Sequence, residues 1–183
     1  GGRVVCVVNR TGRSRLSACA ACREVVACTR CEGAMAQADD GSLRCLRCGE
    51  TRPAVCAACG ATRFRVLRPG VSRLRDDLAA LLREDVDEVT GTTGEAPSTR
   101  VVMGTAAALH RVPTADAVAF LDLDQELLAP RERAREQAFA LLARAARVVR
   151  GREQHGRVLV QTRRPDDVVV QAALDADPAR VAR

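Results

Sequence analysis

Eight of the nine cysteines in the chain fall into four Cys-x-x-Cys pairs, Cys19/Cys22, Cys28/Cys31, Cys45/Cys48 and Cys56/Cys59, with gaps of five, thirteen and seven residues between successive pairs. Each pair offers two thiolates from one tight turn. Two such turns complete a tetrahedral sulfur shell with metal–sulfur bonds of about 2.3 Å. The spacing therefore predicts two closed four-cysteine sites, two zinc ions per chain, with no coordination position left for a catalytic water. A disulfide framework is the weaker reading, because it belongs to oxidising compartments and small scaffolds. This chain has 183 residues and no long apolar stretch in residues 1–18 of the kind a secretory leader carries. A thioredoxin-like redox motif uses one Cys-x-x-Cys beside a βαβ unit, whereas here four pairs are spaced as ligands. The ninth cysteine, in Val4-Val5-Cys6-Val7-Val8, reads as a small buried core residue.

Three pairings of the four knuckles are open, and the local sequence favours one. Between Cys31 and Cys45 two short extended runs flank Asp39-Asp40-Gly41, a hairpin signal. A hairpin there brings Cys28/Cys31 beside Cys45/Cys48 and leaves Cys19/Cys22 to meet Cys56/Cys59, so the expected sites are nested, one inner and one outer. Gly49 and Gly60 directly follow a second cysteine, where a turn that aims amides at sulfur often needs positive φ. Gly33 sits one residue later in its turn.

The elements that must carry these knuckles alternate in type. A strand over Arg3–Val8 ends in a polar turn, Asn9-Arg10-Thr11-Gly12-Arg13, that feeds the cysteine module at about 17–64. After Pro69-Gly70, an amphipathic helix is expected over Ser72–Leu82, with Ser72 as N-cap and Leu74, Leu78, Leu81 and Leu82 on one face. Residues Glu84–Thr99 read as an irregular loop. Then come a strand at Arg100–Met103, a helical turn at Ala106–His110, a strand at Ala117–Leu121, a helix over Arg131–Val149 behind Pro130, and a strand at Arg157–Gln161. Continuous apolar strands alternating with helices predict an α/β fold, a parallel sheet with flanking helices, into which the module is inserted. The expected division is 1–16 for the first strand, 17–64 for the zinc insertion and 65–183 for the rest of the α/β lobe.

Hydrophobic residues make up 47% and aromatics 2%, so the core must be built from Ala, Val and Leu, and platforms for stacking bases are scarce. The formal charge of +6 suits a polyanionic partner. All of the basic charge is arginine, a pattern that codon bias in a GC-rich genome also produces. No apolar run is long enough to span a bilayer, so the expected compartment is the cytoplasm, with no membrane partner.

In this order the motifs resemble the C-terminal helicase lobe of the primosomal protein N-prime (PriA) family of replication restart helicases, in a degenerate form of actinobacterial type. Asn9-Arg10-Thr11-Gly12 is similar to the family's Asn-Arg-Arg-Gly turn, and the four spaced cysteine pairs follow it. Pro69-Gly70-Val71-Ser72-Arg73-Leu74 resembles the family's Gly-Thr-Glu-Arg-Val helix start, and Val102-Met103-Gly104-Thr105 resembles the opening of helicase motif V. Leu121-Asp122-Leu123-Asp124 resembles Leu-Asp-Ala-Asp, and Leu128-Ala129-Pro130 with Arg133, Ala134 and Glu136 resembles Pro-Asp-Phe-Arg-Ala-x-Glu. Val158-Leu159-Val160-Gln161-Thr162 with Pro165 resembles the closing Val-Leu-Ile-Gln-Thr-x-x-Pro. The resemblance covers almost the whole chain. It implies a RecA-like second helicase lobe, joins the first cysteine pair to the fourth and the second to the third, and implies forked or recombined DNA and other primosome proteins as partners.

The active pattern is not kept. Motif V of an active member reads Gly-Thr-Gln-Met-Leu-Ala-Lys-Gly, against Gly104-Thr105-Ala106-Ala107-Ala108-Leu109-His110-Arg111 here. Motif VI reads Gln-Val-Ala-Gly-Arg-Ala-Gly-Arg, against Arg144–Gly151, so both arginine fingers are replaced, by Val148 and Gly151. Losing one such arginine typically costs about a thousandfold in phosphoryl-transfer rate. Arg147 or Arg150 could substitute only through a register shift. No Gly-x-x-x-x-Gly-Lys-Ser/Thr phosphate loop is present either. The expected function is DNA binding and primosome assembly at forks with defective ATPase and helicase motifs. Two rivals stand beside it: a protein-interaction zinc scaffold without DNA affinity, and an active ATP-dependent 3′–5′ DNA helicase if the chain is a fragment, as its Gly1-Gly2 start suggests. His110 and His155 read as surface residues, Asp122 and Asp124 as loop-capping carboxylates, and Arg131, Arg133 and Arg135 as a solvated helix face.

Overall fold

The computed structural model describes residues 2–8, 17–66, 71–91 and 96–181; the expected turn at 9–13 and the Pro69-Gly70 helix start lie outside them. In chain order the strands and helices are β1 (Val4–Val7), β2 (Ser17–Cys19), β3 (Met35–Gln37), β4 (Leu43–Cys45), β5 (Thr51–Arg52), β6 (Phe64–Val66), α1 (Val71–Leu82), β7 (Val86–Val89), β8 (Val101–Gly104), α2 (Ala108–Arg111), β9 (Ala117–Phe120), α3 (Asp124–Leu127), α4 (Ala134–Val148), β10 (Arg157–Val160) and α5 (Val168–Asp175). They form two compact units. One gathers residues 1–11, 69–123 and 136–183, the other residues 12–68 and 124–135.

The first unit is a five-stranded, all-parallel sheet in the order β10-β9-β1-β8-β7, as the apolar strand pattern predicts. Its central strands are nearly continuous runs of Val, Ala, Met and Phe because both faces are covered, and Val5, Val102 and Val118 are fully buried. Cys6 packs with Val8 and Met103 against Leu74 and Leu78 of α1, so it is a core residue, and burial pushes its thiol pKa up. The rest of the expected apolar face of α1 is not covered: Leu81 is 78% and Leu82 40% exposed, and Ser72 falls inside the helix rather than capping it.

Two further expectations are corrected here. Glu84–Thr99 is not wholly irregular, since Val86–Val89 forms the sheet's edge strand β7, in register with β8. Its Val-Asp-Glu-Val sequence is too acidic to read as a buried strand, and an edge position tolerates those charges. The long helix begins at Ala134 and ends at Val148, leaving Arg131 and Arg133 ahead of it. Along α4 the residues Ala138, Leu142, Ala145 and Val148 are buried at helical spacing, the stripe that faces the core.

At the end of β8, Gly104 is held without a side chain by its neighbour. A Cβ there would lie 2.0 Å from the Val89 carbonyl oxygen, which accepts the Thr105 N–H at 3.0 Å.

The second unit has little regular structure: a β2–β6 antiparallel pair and a three-stranded β3-β4-β5 sheet. The β3–β4 hairpin turns at the expected Asp39-Asp40-Gly41, where Asp40 Oδ1 accepts the Ser42 N–H at 2.8 Å and Gly41 takes φ of 82°. Val26, Met35 and Leu43, with Cys28 and Cys45, make its small core.

Candidate metal centre

All four knuckles are built the same way. The residue after the second cysteine donates its N–H back to the first cysteine's carbonyl: Arg23 to Cys19 at 3.1 Å, Glu32 to Cys28 at 2.9 Å, Gly49 to Cys45 at 3.2 Å and Gly60 to Cys56 at 2.9 Å. The first cysteine's N–H then bonds the carbonyl five residues on, for example Cys45 to Glu50 at 2.8 Å. Closing this loop needs positive φ at the donor, and Gly49 (77°) and Gly60 (75°) supply it as expected. In the other two knuckles Arg23 (66°) and Glu32 (57°) adopt it, while Gly33 does not. Sequence patterns alone did not single out Arg23 and Glu32, since only glycine advertises that conformation.

The turns aim amides at sulfur and bring the thiols together. Arg30 N–H reaches Cys28 Sγ at 3.4 Å, and Arg47 and Cys48 N–H reach Cys45 Sγ at 3.4 and 3.5 Å. The sulfurs collect in two groups, Cys19, Cys22, Cys56 and Cys59 in one and Cys28, Cys31, Cys45 and Cys48 in the other, each lying within 4.8 Å of one another. The closest approaches across knuckles are 3.6 Å for Cys19–Cys59 and Cys22–Cys56, 3.7 Å for Cys28–Cys48 and 3.5 Å for Cys31–Cys45. A disulfide would need about 2.0 Å. A tetrahedron of bonds about 2.3 Å long has edges of about 3.8 Å, which these separations approach. Each quartet can therefore hold one zinc ion, two per chain, and four sulfurs leave no open position for substrate.

Electrostatics within each quartet agree with a cation-binding role. The Cys22 N–H, more than any other group, lowers the Cys19 pKa to about 6. Although the Glu24 N–H favours the thiolate of Cys22, burial and the thiols of Cys59, Cys56 and Cys19 push that group up to about 12. In the inner quartet burial and the thiols of Cys48, Cys45 and Cys28 raise Cys31 to about 12 against the Gly33 N–H. Burial also opposes ionisation of Cys45, but the N–H groups of Cys48 and Arg47 outweigh it and bring it to about 7. Thiolates this close repel, so a cation is what lets all four ionise together.

The inner knuckles are clasped by the segment 124–135 of the same unit. Arg47 donates through one guanidinium nitrogen to the Cys31 carbonyl at 2.9 Å and through the other to the Ala129 carbonyl at 2.7 Å. Ala34 N–H bonds the Leu128 carbonyl at 3.0 Å, and Arg135 pairs with Glu32. Arg131 pairs with Glu126 at 2.5 Å, so the arginines read as a solvated face are engaged in specific contacts rather than left to solvent. Asp124 opens α3 fully buried, and His110 and His155 are exposed.

Of the positions that resemble helicase motif VI, Val148 is the last buried residue of the α4 stripe, and Arg144 Nε donates to the Leu109 carbonyl at 3.2 Å. Arg150 pairs with Asp116 at 3.3 Å, at the edge where the sheet's strands begin, whereas Gly104-Thr105 lies where β8 ends.

A parallel α/β lobe interrupted after its first strand by two nested four-cysteine quartets defines a zinc-bearing α/β protein. No family model matches the chain. Over 194 aligned positions it is 26% identical to the replication restart protein PriA of Haemophilus influenzae, an alignment that covers 95% of this chain and 26% of that protein. The similarity runs along nearly all of the chain, which spans about a quarter of the length of the curated relative it matches. Among the described residues no helix is long and apolar enough to cross a membrane.

Proposed function

We propose that this chain is the zinc-bearing second lobe of a cytoplasmic replication-restart protein that binds forked or recombined DNA and helps place other primosome proteins there. Cys19, Cys22, Cys56 and Cys59 would ligate the outer ion, and Cys28, Cys31, Cys45 and Cys48 the inner one. The observation that carries the reading is the insertion of the two quartets after the first strand of a parallel-sheet lobe, in a chain whose similarity to PriA runs along 95% of its length. The ions make the cysteine unit rigid, and the net charge of +6 supplies attraction to a polyanion.

In this reading the lobe does not turn over ATP. Val148 is committed to the core, and Arg150 is engaged with Asp116 at the strand-start edge, away from Gly104-Thr105, so neither supplies a finger at that end of the sheet. ATP hydrolysis by the full-length product, abolished by Arg147→Ala, would overturn this part of the proposal. A second reading, a zinc scaffold for protein contacts without DNA affinity, is favoured by the exposed Leu46 and Val55 on the cysteine unit.

Binding of the zinc-loaded chain to forked and plain duplex DNA, titrated against salt, separates them. Fork-selective affinity with a steep negative salt slope is expected. Absence of binding at low salt supports the scaffold.

A further inference from the structure

The edge of the parallel sheet at which the strands begin carries a concentration of cations that neither the zinc sites nor the fold requires. In spatial order, β8, β1 and β9 are immediately preceded by Arg100, Arg3 and Asp116, because Val4 stands in register with both Val101 and Ala117. Adjacent strands lie about 4.8 Å apart, so these side chains start from neighbouring rows. Arg150 joins them, tied in by its N–H to the Ala115 carbonyl at 2.9 Å. Together with Gly2, Ser98 and Thr114 these residues line an open cleft of about 410 Å³.

The cleft is organised around Asp116. Its Oδ2 accepts the Arg3 backbone N–H at 2.7 Å and its Oδ1 faces Arg150 Nε at 3.3 Å, which leaves the terminal nitrogens of Arg150 available. This carboxylate lies so close to the chain that a Cβ on Gly2 would meet its carbon at 2.3 Å. Arg100 is held by a two-pronged pair to Glu84. Among the described residues no carboxylate is paired with the Arg3 guanidinium. Three guanidinium groups thus converge with two carboxylates, and placing like charges on neighbouring strands is unfavourable unless an anion joins them.

We infer that this cleft binds a nucleotide phosphate, free or within a strand. Planar guanidinium forks match the oxygens of a phosphate, and the hydroxyls of Ser98 and Thr114 offer further polar contacts. The cleft is larger than one inorganic phosphate needs, and no aromatic side chain lines it, so recognition runs through phosphate and sugar rather than through the base. The inference does not depend on the fork-binding reading.

The test is calorimetric titration of the zinc-loaded full chain with pyrophosphate, with dAMP, with dTMP, and with a short 5′-phosphorylated oligothymidylate. Each of Arg3→Gln and Arg150→Gln is expected to weaken binding about tenfold, the loss of one charge-assisted hydrogen bond. Arg65→Gln, which removes the same charge from an exposed position on the cysteine unit, should change it less than about twofold. Arg3→Gln is the cleaner variant, since Arg150 also pairs with Asp116; unchanged melting of the ligand-free protein confirms that each variant folds. dAMP and dTMP should bind alike, and the ratio of mononucleotide to oligonucleotide affinity identifies the source of the phosphate. Absence of binding by every probe at low salt, or equal weakening by Arg65→Gln, overturns the inference. Phosphate binding without fork preference would leave it standing and remove the fork reading instead.

Discussion

Each knuckle asks one residue for a left-handed backbone, and two of the four meet that demand without glycine. A residue with a Cβ pays about 1–2 kcal/mol there. Gly49→Ala and Gly60→Ala should therefore each destabilise the zinc-loaded protein by about 1 kcal/mol, and Arg23→Gly, at an exposed site with φ of 66°, should stabilise it by up to about 1 kcal/mol. Denaturant midpoints of the three variants measure this directly. In the other unit Asp87 ties the end of the β7–β8 connection to its strand: its carboxylate accepts the N–H groups of Thr99 at 2.9 Å and Ser98 at 2.6 Å, led by Thr99, and these lower its pKa. A lowered carboxyl pKa stabilises the fold above the unfolded value of about 3.9, and that contribution is lost as pH falls through the folded value. Asp87→Asn is accordingly expected to cost about 1–2 kcal/mol at pH 7. Wild-type and variant stabilities should converge below about pH 4, as followed by urea unfolding at several pH values.

Among the elements, the clasp on the inner knuckles depends most on one side chain. Arg47 bridges the carbonyls of Cys31 and Ala129, so Arg47→Ala should cost about 1–3 kcal/mol and speed amide exchange at Ala34, whose partner carbonyl is Leu128. Arg47→Lys should recover little, because an ammonium lacks the fork that spans both acceptors. Nothing in the sequence around Arg47 announced this role; its partner Ala129 is far along the chain, and such a contact leaves no periodic trace. The hairpin at Asp39-Asp40-Gly41 and the apolar strands of the parallel sheet were legible because turn chemistry and continuous burial both write themselves into composition. Edge strand β7 was not, since Asp87 and Glu88 break the apolar run, and Leu81 and Leu82 continue a helical period that the fold leaves uncovered. The strand-start cleft was hidden for a related reason. Arg3, Arg100 and Asp116 are distant in sequence, and only the crossing order of the strands makes them neighbours.

For the molecule as a whole, the two units draw on different sources of stability. The parallel sheet has its own core in Val5, Val102 and Val118, whereas the cysteine unit has a few buried side chains around its sulfurs. Zinc binding contributes on the order of 10–16 kcal/mol to small modules of this kind. Chelation at neutral pH should thus abolish amide protection in residues 17–66 while leaving that of β1, β8 and β9 largely intact, as read by hydrogen exchange. The nesting of the quartets has a further consequence for how metal is taken up. Cys22 and Cys56 are 34 positions apart, and within that span Cys31 and Cys45, 14 apart, are already joined when the inner ion is bound. Loading the inner site first shortens the free chain that the outer one must close, which saves roughly 0.5 kcal/mol of loop entropy. The two ions should bind with mild positive cooperativity, about a twofold gain in affinity for the second, although no ligand is shared between them. A competition titration with a chromophoric chelator would register it. Side-by-side quartets would be filled independently, so the order of the knuckles along the chain is itself a form of communication between the metals.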